Sequence, residues 1–461
     1  MERVAGGPPT PATAGLVLLC AKDLDAAPHA FPLRDSSVVI GREPPRGGCP
    51  VRLSSVSRAH AELVRDPSGA WLIRDLESRN GTYVDGQRVT QRTFLRPHAE
   101  IRIGDALFKL VMDGIEEYRG YRLDGRIADA FEPRDTFDII GGVAMDRVRA
   151  QIERVARSDL GVLVLGETGT GKELVARAIH RVSGRPGPFL AVNCAAVPAQ
   201  LFESELFGYR RGAFSGADRD KPGILQAAGA GTVLLDEIGD MPLELQPKLL
   251  RAIEAREILP IGAVRPEHVD ARFVFATHQD VERLVDAGKF RSDLYARMNT
   301  LSVALPPLRA RKEDVYQLVA HFLRQRGRPD LRPDFTFMFG MCDYDWPRNV
   351  RECAAVVARA IATSDGTTLG AGDLPAEIRA HLETYGARVT ASSDSVPEAP
   401  ASMPAPETLM DLLARHQGNV AAVARELDKD RAQVHRMMRR HALVPDDYRP
   451  DAVRRSRGRE P

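Results

Sequence analysis

Residues 162–172 read V-L-V-L-G-E-T-G-T-G-K. The four apolar residues have the character of a buried strand. Gly166, Gly169 and Gly171 free the backbone around Glu167, Thr168 and Thr170, so that successive N–H groups can wrap an anion. Lys172 then faces the outer phosphates, and the helix opened by Lys172 and Glu173 turns its positive end toward the same point. A loop of this kind ordinarily carries a hydroxyl after the lysine to touch Mg2+, and here Glu173 stands in that place. Further along, residues 232–237 read T-V-L-L-D-E, a β-branched and leucine run that ends in two acids. The carboxyl end of a parallel strand is where such sheets bind ligands. Asp236 suits Mg2+ and Glu237 suits the orienting or deprotonation of an attacking water, two tasks of phosphoryl transfer. A glycine turn alone can bind nothing, and an acid pair alone is often a helix N-cap. Together they point to ATP and Mg2+.

These groups need a sheet to hold them. Strand-like runs at 162–165, 189–192, 233–235, 273–276 and 301–305 alternate with helical stretches, beginning with an amphipathic one at 146–157. That alternation predicts a parallel α/β sheet over 137–310, followed by a helical lid over 311–380. Ahead of it, short apolar runs at 16–19, 38–40, 61–64, 71–73, 82–84 and 107–111, separated by turn residues, predict an all-β sandwich over 14–112. Residues 113–136 carry many charges and few apolar runs and read as a linker. A second linker, rich in Ala, Ser, Pro and Thr, covers 381–406. Three helices close the pattern over 407–443: 408–416, then 420–427 capped by Asn419, then 431–441 capped by Asp430. The third carries Arg431, Arg436, Arg439 and Arg440 without an acid, and residues 444–461 form a basic tail.

At 461 residues with a formal charge of +1, the chain has room for about three domains but no global field for nucleic acid, so any such contact comes from a local patch. Five scattered cysteines lack metal or disulfide spacing and fit a reducing cytoplasm. The apolar segment 15–21 is too short to cross a bilayer, so no membrane partner is expected.

Three clusters in the sandwich, Gly41-Arg42, Ser57-Arg58-Ala59-His60 and Asn80-Gly81-Thr82, resemble a forkhead-associated (FHA) domain in order and spacing. The resemblance implies that Arg42, Ser57, Arg58 and Asn80 surround a phosphothreonine peptide, while Gly41, His60 and Gly81 hold the loops. Guanidinium and hydroxyl donors suit a phosphate.

The block 139–380 resembles the AAA+ domain of sigma-54-dependent transcriptional activators, whose phosphate loop also has Glu after the Lys. The match runs through E-S-E-L-F-G at 203–208 to Gly212-Ala213-Phe214-Ser215-Gly216-Ala217, which in the family reads G-A-F-T-G-A and contacts sigma-54. The resemblance implies that Asn193 holds Glu237 until the nucleotide state changes. It makes Arg291 and Arg297 arginine fingers for a neighbouring subunit in a ring, expected to be a hexamer, and Arg351 a nucleotide sensor in the lid. This chain departs at Ser215 for Thr, at His278 where a sensor Asn stands, and at Arg348 for Gly in W-P-R-N-V-R-E.

The terminal helices resemble a Fis-type helix-turn-helix. Arg431, Gln433, His435 and Arg436 would reach base edges and Arg439 and Arg440 phosphates.

The expected protein is a cytoplasmic three-part activator: β-sandwich, P-loop α/β ATPase with lid, and all-α DNA-binding domain. Its implied partners are sigma-54 RNA polymerase, upstream enhancer-like DNA, a phosphothreonine protein or peptide, and further copies of itself. The alternative is a DNA-bound phosphopeptide scaffold whose ATPase is inactive or uncoupled, a reading carried by Ser215, His278 and Arg348.

Overall fold

The computed structural model describes residues 13–118, 120–123, 137–386, 406–416, 419–427, 434 and 438. The chain divides into two compact units, with the boundary between Arg388 and Val389.

The first unit begins with the expected sandwich. Its strands are β1 (Gly15–Ala21), β2 (Ala30–Pro32), β3 (Ser37–Gly41), β4 (Cys49–Pro50), β5 (Ala61–Arg65), β6 (Trp71–Asp75), β7 (Thr82–Val84), β8 (Gln87–Arg88), β9 (Thr93–Phe94), β10 (Glu100–Ile103) and β11 (Ala106–Val111). One sheet has the order β2-β1-β11-β10-β7-β8 and the other β4-β3-β5-β6-β9. Period-two patterning does the sorting: Val38 and Ile40 of β3, and Leu63, Trp71 and Ile73 of β5 and β6, all lie in the inner layer. β1 and β11 break that rule, because every residue of both is buried. Their inner side chains Leu16, Leu18 and Phe108 fill the sandwich, while Leu19, Cys20 and Leu107 join the core of the lid. A sheet covered on both faces reads as a continuous apolar run rather than an alternating one.

The α/β part follows with α1 (Val143–Ala156), β12 (Val162–Leu165), α2 (Lys172–Ser183), β13 (Phe189–Asn193), α3 (Ala199–Phe207), the hairpin β14 (Gly208–Tyr209) and β15 (Lys221–Pro222), α4 (Ile224–Ala227) and β16 (Thr232–Asp236). Next come α5 (Gln246–Glu254), the hairpin β17 (Glu257–Ile258) and β18 (Glu267–His268), β19 (Arg272–Thr277), α6 (Val281–Asp286), α7 (Ser292–Met298) and β20 (Leu301–Ala304). The sheet is parallel throughout in the order β13-β16-β19-β12-β20. The lid consists of α8 (Val315–Gln325), the short pair β21 (Arg332–Pro333) and β22 (Thr368–Leu369), α9 (Phe335–Asp343), α10 (Asn349–Thr363) and α11 (Ala376–Glu383). Trp346, fully buried, anchors its core.

Two expected boundaries need correction. The segment 113–136 is not a linker from its start: residues 115–118 form a 3-10 turn, and Ile115, Tyr118, Tyr121 and Leu123 are buried in the sandwich core. Gly15 sits so close to Ile115 that a Cβ would lie 2.1 Å from its side chain. The aromatic and aliphatic residues are spaced irregularly among charges, which hid the packing from any periodic test. At the other linker, α11 extends past 381 and Tyr385 packs on the lid core.

In the second unit, α12 (Pro406–Arg415) and α13 (Val420–Glu426) pack through Leu412, Leu413 and Val423 together with Val434 and Met438. The Asn419 side chain accepts from the Ala422 N–H at 3.3 Å, the cap expected of it. Arg431, Gln433, His435, Arg436, Arg439 and Arg440 lie outside the described residues.

Candidate nucleotide site and its flanking loops

The parallel sheet brings the loop after β12 and the acids after β16 to the same carboxyl-terminal edge. Gly169 and Gly171 take φ of +82° and +105°, a region glycine adopts without strain. Gly169 is also pinned by its neighbour: a Cβ there would stand 2.2 Å from the carbonyl oxygen of Arg348 in the lid. Thr170 closes the loop on itself through a 2.7 Å bond to the Glu167 carbonyl. Lys172 is 7% exposed and donates to the Gly166 carbonyl at 3.0 Å and to Glu237 at 3.3 Å. Burial behind a glycine loop and at the first turn of a twelve-residue helix fits a phosphate chain held by Lys172 and the loop amides.

Glu237 stands at φ +51°, ψ +49°, an uncommon backbone for a glutamate, where structure overrides intrinsic preference. Its carboxylate accepts from His278 Nδ1 at 2.7 Å and from the His278 backbone N–H at 3.3 Å. Burial alone would raise its pKa, but the His278 hydrogen bond and the Lys172 charge outweigh that and hold it low. Asp236 moves the other way, raised by burial and by the neighbouring Glu237 charge. Mg2+ commonly binds one or two protein carboxylates plus phosphate oxygens and water, and Asp236 fits that pattern. Among the described residues no cluster of three or more His, Cys, Asp or Glu offers an all-protein cage.

Asn193 ends β13 beside Asp236 in register. Its side-chain oxygen caps its own turn, accepting from Ala195 and Ala196 N–H at 2.9 and 3.2 Å. The Glu237 carboxylate is bonded by Lys172 and His278, so in this structure the Asn193 side chain serves its own turn rather than holding Glu237.

The lid closes directly on the loop. The Arg351 N–H donates to the Gly169 carbonyl at 3.3 Å, and the Arg351 side chain is exposed. Arg348 has φ −110°, so the turn does not require glycine there; Trp346 and Asn349, both at φ +54°, take the left-handed positions. Sequence reasoning passed over Asn349, which is fully buried. It accepts from the Leu308 N–H at 2.7 Å and donates to Glu167 and the Thr168 carbonyl at 3.2 and 3.1 Å. Glu167 in turn pairs with Arg309 through both guanidinium arms. An asparagine beside a proline turn carries no periodic signal, and its role becomes visible only when lid and loop meet.

Arg291, which immediately precedes α7, and Arg297 within it are exposed, whereas Leu294 and Met298 of that helix face inward. Arg291 pairs with Asp293 at 2.7 Å. The segment 212–217 projects as a tight loop. Gly212 N–H donates to the Ala217 carbonyl at 2.8 Å, and Phe214 is 47% exposed with its ring edge-on to Tyr209. Gly212 and Gly216, at φ +78° and +100°, take the left-handed positions at its two ends. A neighbouring turn, missed in the sequence, brings Val264 to 96% exposure while Gly262 packs on Ala213.

At the far end of the sandwich the phosphopeptide candidates converge on one scaffold. Arg42 N–H donates to the Ser57 carbonyl at 2.9 Å, and a Cβ on Gly41 would meet the Arg58 carbonyl at 2.1 Å. His60, fully buried, accepts at Nδ1 from the Ser57 N–H at 3.1 Å, which leaves Nε2 to donate to the Gly81 carbonyl at 3.2 Å. The Ser57 hydroxyl accepts from Arg79 N–H at 3.2 Å, and the Asn80 amide donates to the Ser55 carbonyl at 2.6 Å. Arg42, Arg58 and Asn80 are exposed above this frame.

A two-sheet β-sandwich joined to a P-loop α/β domain with a helical lid defines a multidomain protein of the P-loop nucleotide-binding class. Comparison makes it particular: residues 139–304 match the Sigma-54 interaction domain, 38–104 the FHA domain and 309–390 the AAA+ ATPase lid domain. GlrR of Escherichia coli K12, a transcriptional regulatory protein, is 36% identical over 350 residues, covering 75% of each chain. AtoC of the same strain is 39% identical, covering 66% of this chain and 67% of its own. The chain spans about half of another relative, the sigma-54-dependent transcriptional regulator UacR, at 53% of its length and 42% identity. Among solved structures, NtrX from Brucella abortus in complex with ADP is 32% identical with a TM-score of 0.50, covering 67% of this chain and 71% of that one. The chain therefore belongs to the sigma-54-dependent transcriptional regulators, with an FHA domain preceding the ATPase domain. Among the described residues no helix is long and apolar enough to cross a membrane.

Proposed function

We propose that this protein is an ATP-dependent activator of sigma-54 RNA polymerase that acts in the cytoplasm. Its terminal helices bind an upstream DNA element, its AAA+ domain assembles into a ring, and hydrolysis drives the closed promoter complex open. Phosphothreonine recognition by Arg42, Ser57, Arg58 and Asn80 regulates that cycle. The observation that carries the reading is the meeting of Lys172 with Glu237 at one sheet edge, in a domain that also exposes the loop centred on Phe214.

ATP with Mg2+, when bound, supplies the labile phosphoanhydride and the countercharge for it. The loop amides and Lys172 bind and orient the phosphate chain. Asp236 is the carboxylate offered to the metal. Glu237, kept ionised at neutral pH, is ready to take a proton from water. Arg291 and Arg297, free of the core, suit reaching across a subunit boundary, which makes turnover depend on assembly. Phe214, on glycine ends, suits a mobile apolar contact with sigma-54, and Ser215 keeps a hydroxyl there.

The scaffold alternative has one observation in its favour: Glu237 is engaged by both Lys172 and His278. Steady-state ATP turnover by the full chain over a range of protein concentrations separates the two. Specific activity that rises with concentration and disappears in Lys172→Ala supports a ring ATPase. Absence of turnover from folded protein at every concentration would sink it in favour of the scaffold.

A further inference from the structure

The FHA domain and the lid share a buried polar seam. Glu313 lies in it at 1% side-chain exposure, paired with Lys109 of β11 at 4% and accepting from the Tyr118 hydroxyl at 3.0 Å. The preceding residue, Lys312, pairs with Glu100 of β10 at 2.6 Å. Arg311, one residue earlier and 2% exposed, turns the other way and donates to the Thr170 carbonyl of the phosphate loop at 3.4 Å. Three consecutive residues thus tie the β10–β11 hairpin to the nucleotide site. The tip of that hairpin reaches the opposite end of the sandwich, where Asp105 N–H donates to the Ser55 hydroxyl at 3.0 Å. Ser55 also accepts, through its carbonyl, from the phosphopeptide candidate Asn80.

We propose that the β10–β11 hairpin and residues 311–313 form a single coupling element, through which occupancy of the FHA loops alters nucleotide affinity at the phosphate loop, and the reverse. The inference rests on the reading of those two ends as phosphopeptide and nucleotide sites. The physical driver is the buried charge. A carboxylate stranded in the interior is far more costly than one that moves with its cation, so Glu313 follows Lys109. A shift of the hairpin is then passed to Arg311, whose guanidinium grips the loop backbone. Coupling of this kind is reciprocal by linkage.

The test is MgADP binding by the full chain, which needs no hydrolysis and no identified phosphopeptide. Lys109→Met leaves Glu313 buried without its cation, and the expected result is MgADP binding weaker by about fivefold or more. Adding Glu313→Leu to the same chain removes the stranded charge and is expected to recover most of that loss. Ser55→Ala, at the far end of the hairpin, is expected to weaken binding by about twofold. If Lys109→Met does not fold, Arg102→Ala replaces it; that guanidinium lies 4.7 Å over Phe339 of the lid. Wild-type MgADP affinity in Lys109→Met or its substitute overturns the proposal, as does a double variant no better than the single. Wild-type affinity in Ser55→Ala overturns the part that reaches the FHA loops. A wild-type chain that binds no MgADP overturns the nucleotide reading and this inference with it, whereas wild-type binding that the variants leave unchanged overturns this inference alone.

Discussion

Two regions of the first unit, the nucleotide loop and the FHA loops, each gather groups suited to phosphate, and they are built in opposite ways. At the nucleotide loop the cation is inside: Lys172 is 7% exposed, bonded to backbone and to Glu237, and the lid lies against Gly169 closely enough to exclude a methyl group. At the FHA loops the cations are outside, with Arg42 and Arg58 exposed, and the buried element is the neutral His60 beneath them. An interior cation acts in a low-dielectric site where salt screens little, whereas exposed guanidinium groups are screened within about 8–10 Å in ordinary buffers. The difference predicts which changes each end tolerates.

The largest effect should come from Lys172→Ala. ATP turnover is expected to fall by about two orders of magnitude or more, since a preorganised charge is removed from a water-poor site. Binding of a phosphothreonine peptide by the same variant should stay at the wild-type level, measured by fluorescence anisotropy. Equal loss at both ends would break the comparison.

Arg58→Ala is the converse. Loss of one charge-assisted hydrogen bond of about 1.5–3 kcal/mol weakens phosphopeptide binding by roughly tenfold or more. Because the site is open, raising salt from 0.05 to about 0.5 M should weaken the wild-type peptide complex much more than it weakens MgADP binding. Parallel salt slopes for the two ligands would show that exposure is not what distinguishes the sites.

The support beneath the FHA loops should be visible in acid. Burial lowers the His60 pKa below the ordinary 6.5, against smaller upward effects of the Gly81 carbonyl and Asp75. The neutral ring is therefore the form the fold favours. Its stabilising contribution is present above pH 6.5 and is lost as pH falls through the lower folded value. Protonation of Nδ1 also removes the acceptor for the Ser57 N–H. Protection of the Ser57 amide against hydrogen exchange, relative to its intrinsic rate, should fall below that pH, and His60→Ala should lower stability by about 1–3 kcal/mol with the acid step abolished. Persistence of the step in His60→Ala would assign it to another group.

Much of this was legible from the chain alone. The parallel α/β order followed from alternating apolar runs, and glycine spacing with an acid-ended strand pointed to the loop and the carboxylate that the sheet brings together as Lys172 and Glu237. Residues that act between domains were not legible. Lys109, Lys312 and Glu313 look like solvated charges in sequence, and only contact shows them buried and paired. One sign was present: residues 15–21 are apolar without interruption, although a strand of an antiparallel sandwich with a wet face should alternate. The second covered face of β1, against the lid, is the reason. Asn349 and His60 were hidden for a similar cause, since each matters through hydrogen bonds to backbone brought near by the fold.

The smallest effect bears on the departures from the family pattern. Arg348 reads in sequence as a bulky replacement for glycine in a tight turn, a candidate for a damaged nucleotide site. Its φ of −110° makes the side chain unstrained, and what presses on Gly169 is its carbonyl, which every residue type has. Restoring glycine should therefore do little: Arg348→Gly is expected to change MgADP affinity by less than about twofold and stability by no more than about 1 kcal/mol, the backbone-entropy cost. Asn349→Ala, next to it, removes bonds to Leu308, Glu167 and Thr168 from a buried left-handed position, and should cost about 2–4 kcal/mol by thermal melting. A large gain in nucleotide binding from Arg348→Gly would mean that the guanidinium itself, rather than the turn, obstructs the site. The interior end would then be less tolerant of surface charge than its buried lysine implies.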